Sequence, residues 1–509
     1  MTTYLSDFRG VSKSVVSGVV AGTTTLDSLL TDVYRKAVYN IVVEDDITGE
    51  MYTTSLSMVD DSTGIIVTEF DNVGNLVVSF DTDGYLDFPS TMNLNMTLPV
   101  GFSGSYSFER QLFIKKSSYV YVAPTLNIGL LHTLDNPNAY DTADNDSFGR
   151  SVSISDTYSI VGAPNEDDAG GLDSGKSYIY NTVTGELLWT LDNPNAYDTS
   201  ASDTFGSAVS ISDTYCAVSA STEDDAGGLS SGKVYIFTNA TGELLHTLDN
   251  PNAYGTSAGD NFGKSVAITD SYCIVGAHNE DDDSGSNSGK AYIYNTVTGA
   301  LLHTLDDPNL DGFGGDLFGI SVDLTDTYCV VGAQSERLEG ITSGIAYIFN
   351  TVTGDLLHTL ENPTVYGTVG ADLFGVSVAI TDSYCIVGAG GEDSATADDV
   401  GAAYIFNTVT GDLLHTLTNP TPFEWDGMGY YVDINDSFSY VNSWNRSFIF
   451  SNTTGELLDT IEDPLSSSDG FGSIVSMSDS YCITSTTYYD GDGETTPDTG
   501  IAFIFGLST

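Results

Sequence analysis

The stretch Phe262–Leu305, FGKSVAITDSYCIVGAHNEDDDSGSNSGKAYIYNTVTGALLHTL, recurs along the chain at nearly constant spacing. Its opening Phe-Gly pair returns at Phe148, Phe205, Phe318, Phe374 and Phe471, and Met428-Gly429 takes the same place between the last two. Successive units are offset by 57, 57, 56, 56, 54 and 43 residues. A period of this length indicates an array of similar supersecondary units.

Each unit contains four short apolar segments separated by Gly, Asp, Asn and Ser. In the quoted stretch these are strand A, Ser265–Ile268; strand B, Tyr272–Ala277; strand C, Lys290–Tyr294; and strand D, Ala300–Leu305. This pattern is typical of short antiparallel strands joined by turns. Seven such units predict a seven-bladed β-propeller, because radially arranged four-stranded sheets bury their faces against one another.

The two ends of the repeat array complement each other. The last unit stops at Thr509, shortly after its strand C, and has no strand D. The segment Leu126–Pro137, LNIGLLHTLDNP, precedes the first unit and matches the strand D text of later units. We therefore expect it to complete the last blade and close the ring. Strand direction then places all B–C and D–A loops on one side, which we call the long-loop face.

Residues 126–509 repeat the motifs Phe-Gly, Ser-Val and Val-Gly-Ala, and in the first unit Pro164 follows Val-Gly-Ala. This pattern resembles the FG-GAP repeat of integrin-type propellers. That family often carries an Asp-rich calcium loop between strands A and B. Here the connection is only ITDSY or ISDTY, which is short and offers few ligands. The calcium sites of the family are therefore not transferred to this chain.

The residues before the propeller carry no repeat. Leu26, Leu29, Leu30 and Val33 recur at helical spacing, which predicts a short amphipathic helix from Thr25 to Lys36. Residues 1–36 are interpreted as an arm and helix that anchor the protein in an assembly. Alternating segments between residues 37 and 113 predict a β-sandwich-like domain over residues 37–122, with the propeller over residues 123–509. The expected fold class is all-β.

The sequence of this N-terminal region is similar to a small β-domain of structural proteins in marine tailed-phage particles. The similar segments are VYNIVV, MYTTSLSMVDD, IIVTEF and LPVGFSGSYSFERQLF. In those proteins the domain is associated with the particle rather than with catalysis. The resemblance implies attachment to other virion proteins through the N-terminal region.

The charge and apolar composition of the chain limit the kinds of partner that it is expected to bind. With 71 acidic and 14 basic residues the formal net charge is −57, which repels nucleic acid phosphates. The sequence has no apolar run long enough to cross a bilayer and no secretory leader pattern, so neither membrane insertion nor a signal peptide is expected. Cysteines occupy one strand B position in five blades, too far apart for disulfides, and are expected to be buried free thiols from a reducing cytoplasm: Cys216, Cys273, Cys329, Cys385 and Cys482.

Acidic loops are the first candidate sites. The B–C loops of the first three blades read Glu166-Asp167-Asp168, Glu223-Asp224-Asp225 and Glu280-Asp281-Asp282-Asp283. Clustered carboxylates suit calcium. The same blades open strand C with Lys176, Lys233 and Lys290, which favours a solvated loop with local charge pairing. Asp490, Asp492 and Glu494 in the last blade are a weaker metal candidate, and no cofactor other than calcium is expected.

Other reactive side chains show no catalytic pattern. Five histidines share one strand D position and are expected to be surface residues, since strands of different blades are too far apart to share a metal: His132, His246, His303, His358 and His415. No nucleophile motif and no phosphate-binding loop is found, so the protein is not expected to be an enzyme.

Blade six departs most from the repeat and supplies a candidate binding site. Phe423 and Trp425 precede its strand A, and its B–C loop shrinks to NSWNR, which contains Trp444 and Arg446. Flat aromatic faces with a polar rim suit a sugar ring or a protein hot spot. The alternative is that these aromatic side chains plug a hollow left by the shortened loop.

These observations together predict a non-enzymatic structural protein of a tailed-phage virion, displaying the propeller outward as a fibre or adhesin head. It would be assembled in the host cytoplasm, sit on the particle exterior and contact a host surface glycan or protein through the long-loop face. A homo-oligomer is compatible with this arrangement. Two alternatives stay open: a bacterial integrin-like surface adhesin and a carbohydrate-cleaving tail spike. The sequence does not specify which part of the particle carries the protein.

Overall fold

The computed structural model divides the chain into two units, Met1–Val122 and Ala123–Thr509. In the first unit it describes only strand backbones. In the second it describes residues 126–137, 145–167, 171–194, 200–225, 228–251, 257–281, 285–309, 314–338, 341–363, 372–394, 397–465, 470–472, 474–487 and 499–508.

The first unit contains eight described strands in antiparallel sheets. They are β1 Val19–Val20, β2 Thr23–Leu30, β3 Lys36–Glu44, β4 Met51–Asp61, β5 Gly64–Phe70, β6 Val77–Asp81, β7 Thr91–Thr97 and β8 Ser103–Gly104. The sheet orders are β2-β7-β6, β3-β4-β5 and β1-β8. The sandwich arrangement of residues 37–122 stays a prediction.

The predicted helix from Thr25 to Lys36 is wrong over its described part, because strand β2 extends through Leu30 and Lys36 begins strand β3. Three consecutive threonines begin the strand, and β-branched residues favour extended backbone. Pairing with β7 along the length of β2 supplies backbone hydrogen bonds that a short isolated helix would lack. A bulge between Thr25 and Asp27 interrupts the two-residue alternation by which a strand is recognised in sequence.

The second unit is a seven-bladed β-propeller of four-stranded antiparallel blades, as the repeat predicts. Blades one to three are β10 Ser151–Ile154, β11 Tyr158–Ala163, β12 Lys176–Asn181, β13 Leu187–Asp192; β14 Phe205–Ile211, β15 Tyr215–Ala220, β16 Lys233–Thr238, β17 Leu244–Asp249; and β18 Ser265–Ile268, β19 Tyr272–Ala277, β20 Lys290–Asn295, β21 Leu301–Asp306.

Blade four carries an extra hairpin, β24–β25, between its second and third strands. Blades four to seven are β22 Ser321–Leu324, β23 Tyr328–Ala333, β24 Arg337–Leu338, β25 Ile341–Thr342, β26 Ile345–Asn350, β27 Leu356–Glu361; β28 Phe374–Ile380, β29 Tyr384–Ala389, β30 Ala402–Asn407, β31 Leu413–Thr418; β32 Val432–Ile434, β33 Phe438–Ser443, β34 Arg446–Ser451, β35 Leu457–Glu462; and β36 Val475–Met477, β37 Tyr481–Thr486, β38 Ile501–Ser508 with β9 Asn127–Asp135.

The core of the propeller lies between blades rather than within them. Each interface holds one cluster made of strands from two neighbours; the first and last blades meet, for example, through Phe148, Tyr178, Ile483 and Ile504. Strands B and C are buried on both faces and therefore read as continuous apolar runs, whereas strand D is half exposed. The Phe of the repeated pair, or Met428 in blade six, is at most 1% exposed in every blade.

Ring closure by the N-terminal segment is confirmed. Strand β9 pairs antiparallel with β38, with Asp135 opposite Ile501 and Asn127 opposite Ser508. The last blade therefore contains strands from both ends of the repeat array. Its register includes the same irregularity that the other blades show between strands C and D.

The five cysteines are free and buried, as predicted. The histidines, in contrast, are not merely surface residues. The Nε2 of His132 donates to the carbonyl oxygen of Val183 at 3.0 Å, and that of His246 to Val297 at 2.9 Å, so each histidine binds the C–D turn of the next blade. In blade one Trp189 replaces the histidine and donates to the Asn239 carbonyl oxygen at 2.9 Å. Among the described residues no helix is long and apolar enough to span a bilayer.

Removing the closing strand should leave β38 with an unpaired edge, a template for pairing with other chains. We expect residues 137–509 to aggregate and to lose cooperative unfolding, whereas residues 123–509 should remain soluble and unfold in one transition. Circular dichroism melting and size-exclusion chromatography of the two fragments compare these outcomes. Equal melting of both fragments would contradict a stabilising role for β9.

Candidate functional site

The long-loop face is built by turns that hydrogen-bond one blade to the next. The Phe205 amide donates to the Ser174 carbonyl oxygen of the preceding blade at 3.0 Å, and Phe262 repeats this with Ser231. The following glycine, Gly206, has a φ of +92°, which L-residues with a side chain rarely adopt. Its carbonyl oxygen accepts from the Ser151 hydroxyl of the preceding blade at 2.7 Å. This scaffold fixes the loops that carry the candidate site.

The first glutamate of each acidic loop is a structural brace and not a solvated residue, so the solvated-loop prediction is wrong for it. Glu166, Glu223 and Glu280 are fully buried. The strand C tyrosine donates to each carboxylate, as Tyr235 does to Glu223 Oε2 at 2.7 Å. Burial raises the pKa of Glu223 to about 7, although the hydrogen bond from Tyr235 lowers it. A carboxyl with so raised a pKa takes up a proton at a much higher pH than an exposed glutamate does.

The strand C lysines also pair differently from the prediction. Lys176 contacts Asp192, Lys233 contacts Asp249 and Lys290 contacts Asp306, which lie at the end of strand D and not in the acidic triplets. The second residue of each triplet holds the loop instead: Asp224 Oδ1, for example, accepts from the Ser230 amide at 2.8 Å. The lysine and the acidic loop therefore take part in two separate contacts, whereas the sequence indicated one contact between them.

The calcium alternative gains no support in the described part of the propeller. None of its His, Cys, Asp and Glu side chains form a group of three or more that could hold a metal ion. The candidates Asp490, Asp492 and Glu494 lie outside the described residues.

Blade six replaces the buried Glu-Tyr pair with an Arg-Asp pair. Arg446 Nη2 donates to Asp426 Oδ2 at 2.9 Å, and the Ser443 hydroxyl donates to Asp426 Oδ1 at 2.5 Å. Asp426 is 3% exposed, and Phe448 takes the place of the strand C tyrosine. The guanidinium lies over the Phe423 ring with 5.4 Å between Cζ and the ring centroid. The structure therefore brings Phe423 and Arg446, two of the four candidate site residues, into contact.

The two tryptophans project from this frame into solvent. Trp425 is 66% exposed, Trp444 57% and Phe423 44%. Their backbone is nevertheless fixed, because the Trp444 amide donates to the Asp426 carbonyl oxygen at 3.2 Å and the Trp425 amide donates to the Asp398 carbonyl oxygen of blade five at 3.2 Å. Such exposure is incompatible with side chains that plug a hollow. We call Phe423, Trp425 and Trp444 the aromatic patch.

Trp425 has an unfavourable backbone conformation. Its φ is +66°, and the corresponding positions three residues before the Phe of blades one to four hold Asn145, Ser202, Gly259 and Gly315, all with positive φ. Asn and Gly are the residues that tolerate this region, whereas a bulky side chain there costs about 1–2 kcal/mol. Because Trp425 is exposed, its burial does not offset this cost. A strained and exposed tryptophan indicates a functional role at the surface.

Comparison with protein families agrees with the repeat structure. Five segments match the FG-GAP repeat, each running from a D–A loop into strand C of blades one to five: residues 138–180, 195–237, 252–294, 309–349 and 367–406. Blades one to five of the propeller thus contain FG-GAP repeats. Blades six and seven lie outside the matched segments, so the aromatic patch falls where the repeat diverges. The comparison with curated proteins gives no match.

Several residues of this face could have been found from the sequence. In blades one to three and five a Glu precedes the strand C tyrosine by twelve residues, as with Glu223 and Tyr235, and this spacing signals the buried pair. Asp426 stands two residues before Met428, as Asp203 stands two residues before Phe205. That register identifies Asp426 as the buried aspartate of blade six. Tyr430, 38% exposed at the start of the same blade, has no such signal.

The buried glutamates should make the propeller less stable as pH rises. Because burial raises the folded-state pKa of Glu223 from 4.5 to about 7, the folded state retains its proton longer than the unfolded chain, and stability falls between those pH values. Glu223→Gln should reduce the loss of unfolding free energy between pH 5 and pH 8 by up to about 3 kcal/mol, at about 1.4 kcal/mol per pKa unit. Urea unfolding at both pH values measures this.

The control is Glu243→Gln, which removes an exposed carboxylate from the same blade. Its pH profile should follow that of the wild type. Identical profiles for both variants would show that Glu223 is not the source of the pH dependence.

Trp425→Gly should relieve backbone strain and raise the free energy of unfolding by about 1 kcal/mol. Trp444 does not have a positive φ, so Trp444→Gly should lower stability by roughly 0.5–1 kcal/mol through backbone entropy. Chemical denaturation of the two variants gives opposite signs if Trp425 is strained. Destabilisation by several kcal/mol in both would instead indicate packed side chains.

Proposed function

We propose that this protein is an adhesin-like recognition protein whose propeller binds a host surface glycan through the aromatic patch. The observation that carries the proposal is the pair of exposed tryptophans, Trp425 and Trp444, held on hydrogen-bonded backbone on the long-loop face. An FG-GAP propeller is compatible with an adhesin-like surface protein. Because propellers serve many functions, the argument rests on the patch and not on the fold.

A saccharide fits this patch for physical reasons. Sugar rings present flat C–H faces that stack on aromatic side chains, and tryptophan supplies a large contact area with only two side-chain torsions to immobilise. The fixed backbone of Trp425 and Trp444 lowers the entropy lost on binding. The Arg446 guanidinium lies over the Phe423 ring, and its side chain is 20% exposed. In this proposal it donates hydrogen bonds to the saccharide at the edge of the aromatic patch.

The virion part of the proposal rests on the resemblance of residues 37–122 to phage structural proteins. In this proposal the N-terminal region binds other virion proteins and the propeller faces outward, on a particle assembled in the host cytoplasm. The absence of a recognised nucleophile motif in the sequence supports a binding role over catalysis. A bacterial surface adhesin would use the same patch, so the glycan experiment tests both settings. Labelling of purified particles with antibody against the propeller tests the virion setting.

We expect the full-length protein to bind a subset of saccharides on a glycan array and to lose at least tenfold in affinity in Trp425→Ala and Trp444→Ala. The matched control is Trp189→His, which replaces the third tryptophan with the residue that other blades carry at that strand D position. It should bind like the wild type. Glycan binding that survives loss of both patch tryptophans, or is lost in Trp189→His alone, would contradict the proposal.

A further inference from the structure

The propeller holds only seven basic residues, and most have a defined partner. Lys176, Lys233 and Lys290 pair with aspartates, and Arg446 pairs with Asp426. The Arg337 carbonyl oxygen accepts a hydrogen bond from Asn309 Nδ2 at 3.4 Å, and Arg337 takes part in a further interaction. The remaining two are Arg150 and Lys264, neither of which forms an ion pair with any described side chain. In a chain with 71 acidic residues, two cations that form no ion pair within the described part of the propeller need an explanation.

Both cations stand at the axis of the propeller. Arg150 directly precedes β10 and Lys264 directly precedes β18, which are strands A of blades one and three. The strands A of neighbouring blades contact one another around the whole ring, including β10 with β36, so they line the central channel. Because D–A loops lie on the long-loop face, the two side chains start at the channel entrance on that face.

The residues at this position define what we call the axial mouth. In blades one to six they are Arg150, Ser207, Lys264, Ile320, Val376 and Tyr430, and the corresponding Ser473 of blade seven lies outside the described residues. Blades one to three thus supply a polar, cationic half, and blades four to six supply an apolar half. Lys264 and Arg150 are exposed, and Ser207 lies between them in the ring.

Electrostatics places the cations in one neighbourhood. Lys264 is exposed, yet surrounding protein lowers its pKa, and the charge of Arg150 lowers it further, as expected for a recess with two like charges. His278, just after β19, follows the same trend: burial and then the charge of Lys264 lower its pKa to about 4. Its Nδ1 is buried without a hydrogen-bond partner. The site is therefore positive and lacks a counter-charge among the described residues.

We propose that Arg150 and Lys264 form an oxyanion-binding site at the axial mouth, which takes a carboxylate or sulfate group. Guanidinium binds such planar or tetrahedral oxyanions through paired N–H donors, and an ammonium adds a point charge. The protein's net charge of −57 repels anions at long range, but at physiological salt screening over about 8 Å leaves this local pair effective. The anion's carrier is an acidic glycan, an assignment that rests on the proposed function.

Titration of the full-length protein with sodium sulfate, against sodium chloride at equal ionic strength, tests the site by calorimetry. We expect saturable sulfate binding that weakens at least tenfold in the double variant Arg150→Gln/Lys264→Gln. The control Lys233→Gln/Lys290→Gln removes the same charge from lysines that already have aspartate partners. It should bind sulfate like the wild type. Lys264→Met, which keeps the aliphatic stem, serves as the second variant if the double variant does not fold.

Absence of saturable sulfate binding, or equal weakening in the double variant and its control, overturns the site. Trp425→Ala should leave sulfate affinity unchanged, so failure of the anion site and failure of the aromatic patch are distinguishable. Sulfated, carboxylated and neutral oligosaccharides then identify the carrier. Weaker binding of the charged oligosaccharides by the double variant, with neutral ones unaffected, supports an acidic glycan, and equal loss for all three overturns that assignment.

Discussion

The contact between each Phe-Gly turn and the preceding blade is the interaction on which the propeller depends. The phenylalanine fills the apolar interface, and its ring lies 5.8 Å from the strand C tyrosine, as Phe262 does from Tyr292. The glycine takes a positive φ and presents its carbonyl oxygen to a neighbouring serine, as Gly319 does to Ser265 at 2.8 Å. A side chain on Gly276, which faces Gly319, would meet that carbonyl oxygen at 2.0 Å. Packing, backbone geometry and hydrogen bonding thus act at one place and are repeated around the ring.

Because these contacts stabilise the blade interfaces, loop side chains can change without loss of the fold. Blade six keeps the turn, with Met428 buried and Gly429 at a φ of +93°, while Trp425 stands where blades one to four have Asn, Ser or Gly. The buried aspartate, Asp426, is retained with its asparagine partner Asn419, and Arg446 is added. Stability therefore comes from the interfaces, and a strained, exposed tryptophan can be tolerated on the same loop. The axial mouth follows the same logic, because the residue after each glycine joins the turn through its backbone amide, as Lys264 does to the Asn261 carbonyl oxygen, and its side chain varies from blade to blade.

The sequence predicts the regular parts of this molecule well because they are repeated. Strands A and B of the quoted unit, Ser265–Ile268 and Tyr272–Ala277, have the predicted bounds, and the closing segment pairs as expected. Burial of individual carboxylates was not foreseen, since Glu280 is adjacent to aspartates and resembles any loop acid in so acidic a chain. The Lys290 partner, Asp306, lies sixteen residues away across a strand pair, so only the register reveals it. In blade six the sequence identifies the patch residues, but their exposure, which decides between plug and binding surface, depends on how the loops pack and follows from no local pattern.

Closure by β9 has a mechanical consequence. Any tension carried by the residues before Leu126 enters the propeller through this strand, whose eight residue pairs with β38 run from Asn127 to Asp135. A pull along the strand loads these pairs together in shear rather than peeling them one after another. The histidine at position 132 adds a lateral tie to blade one through Val183. The strand that connects the preceding residues to the ring is thus held by residue pairs that bear such a load together.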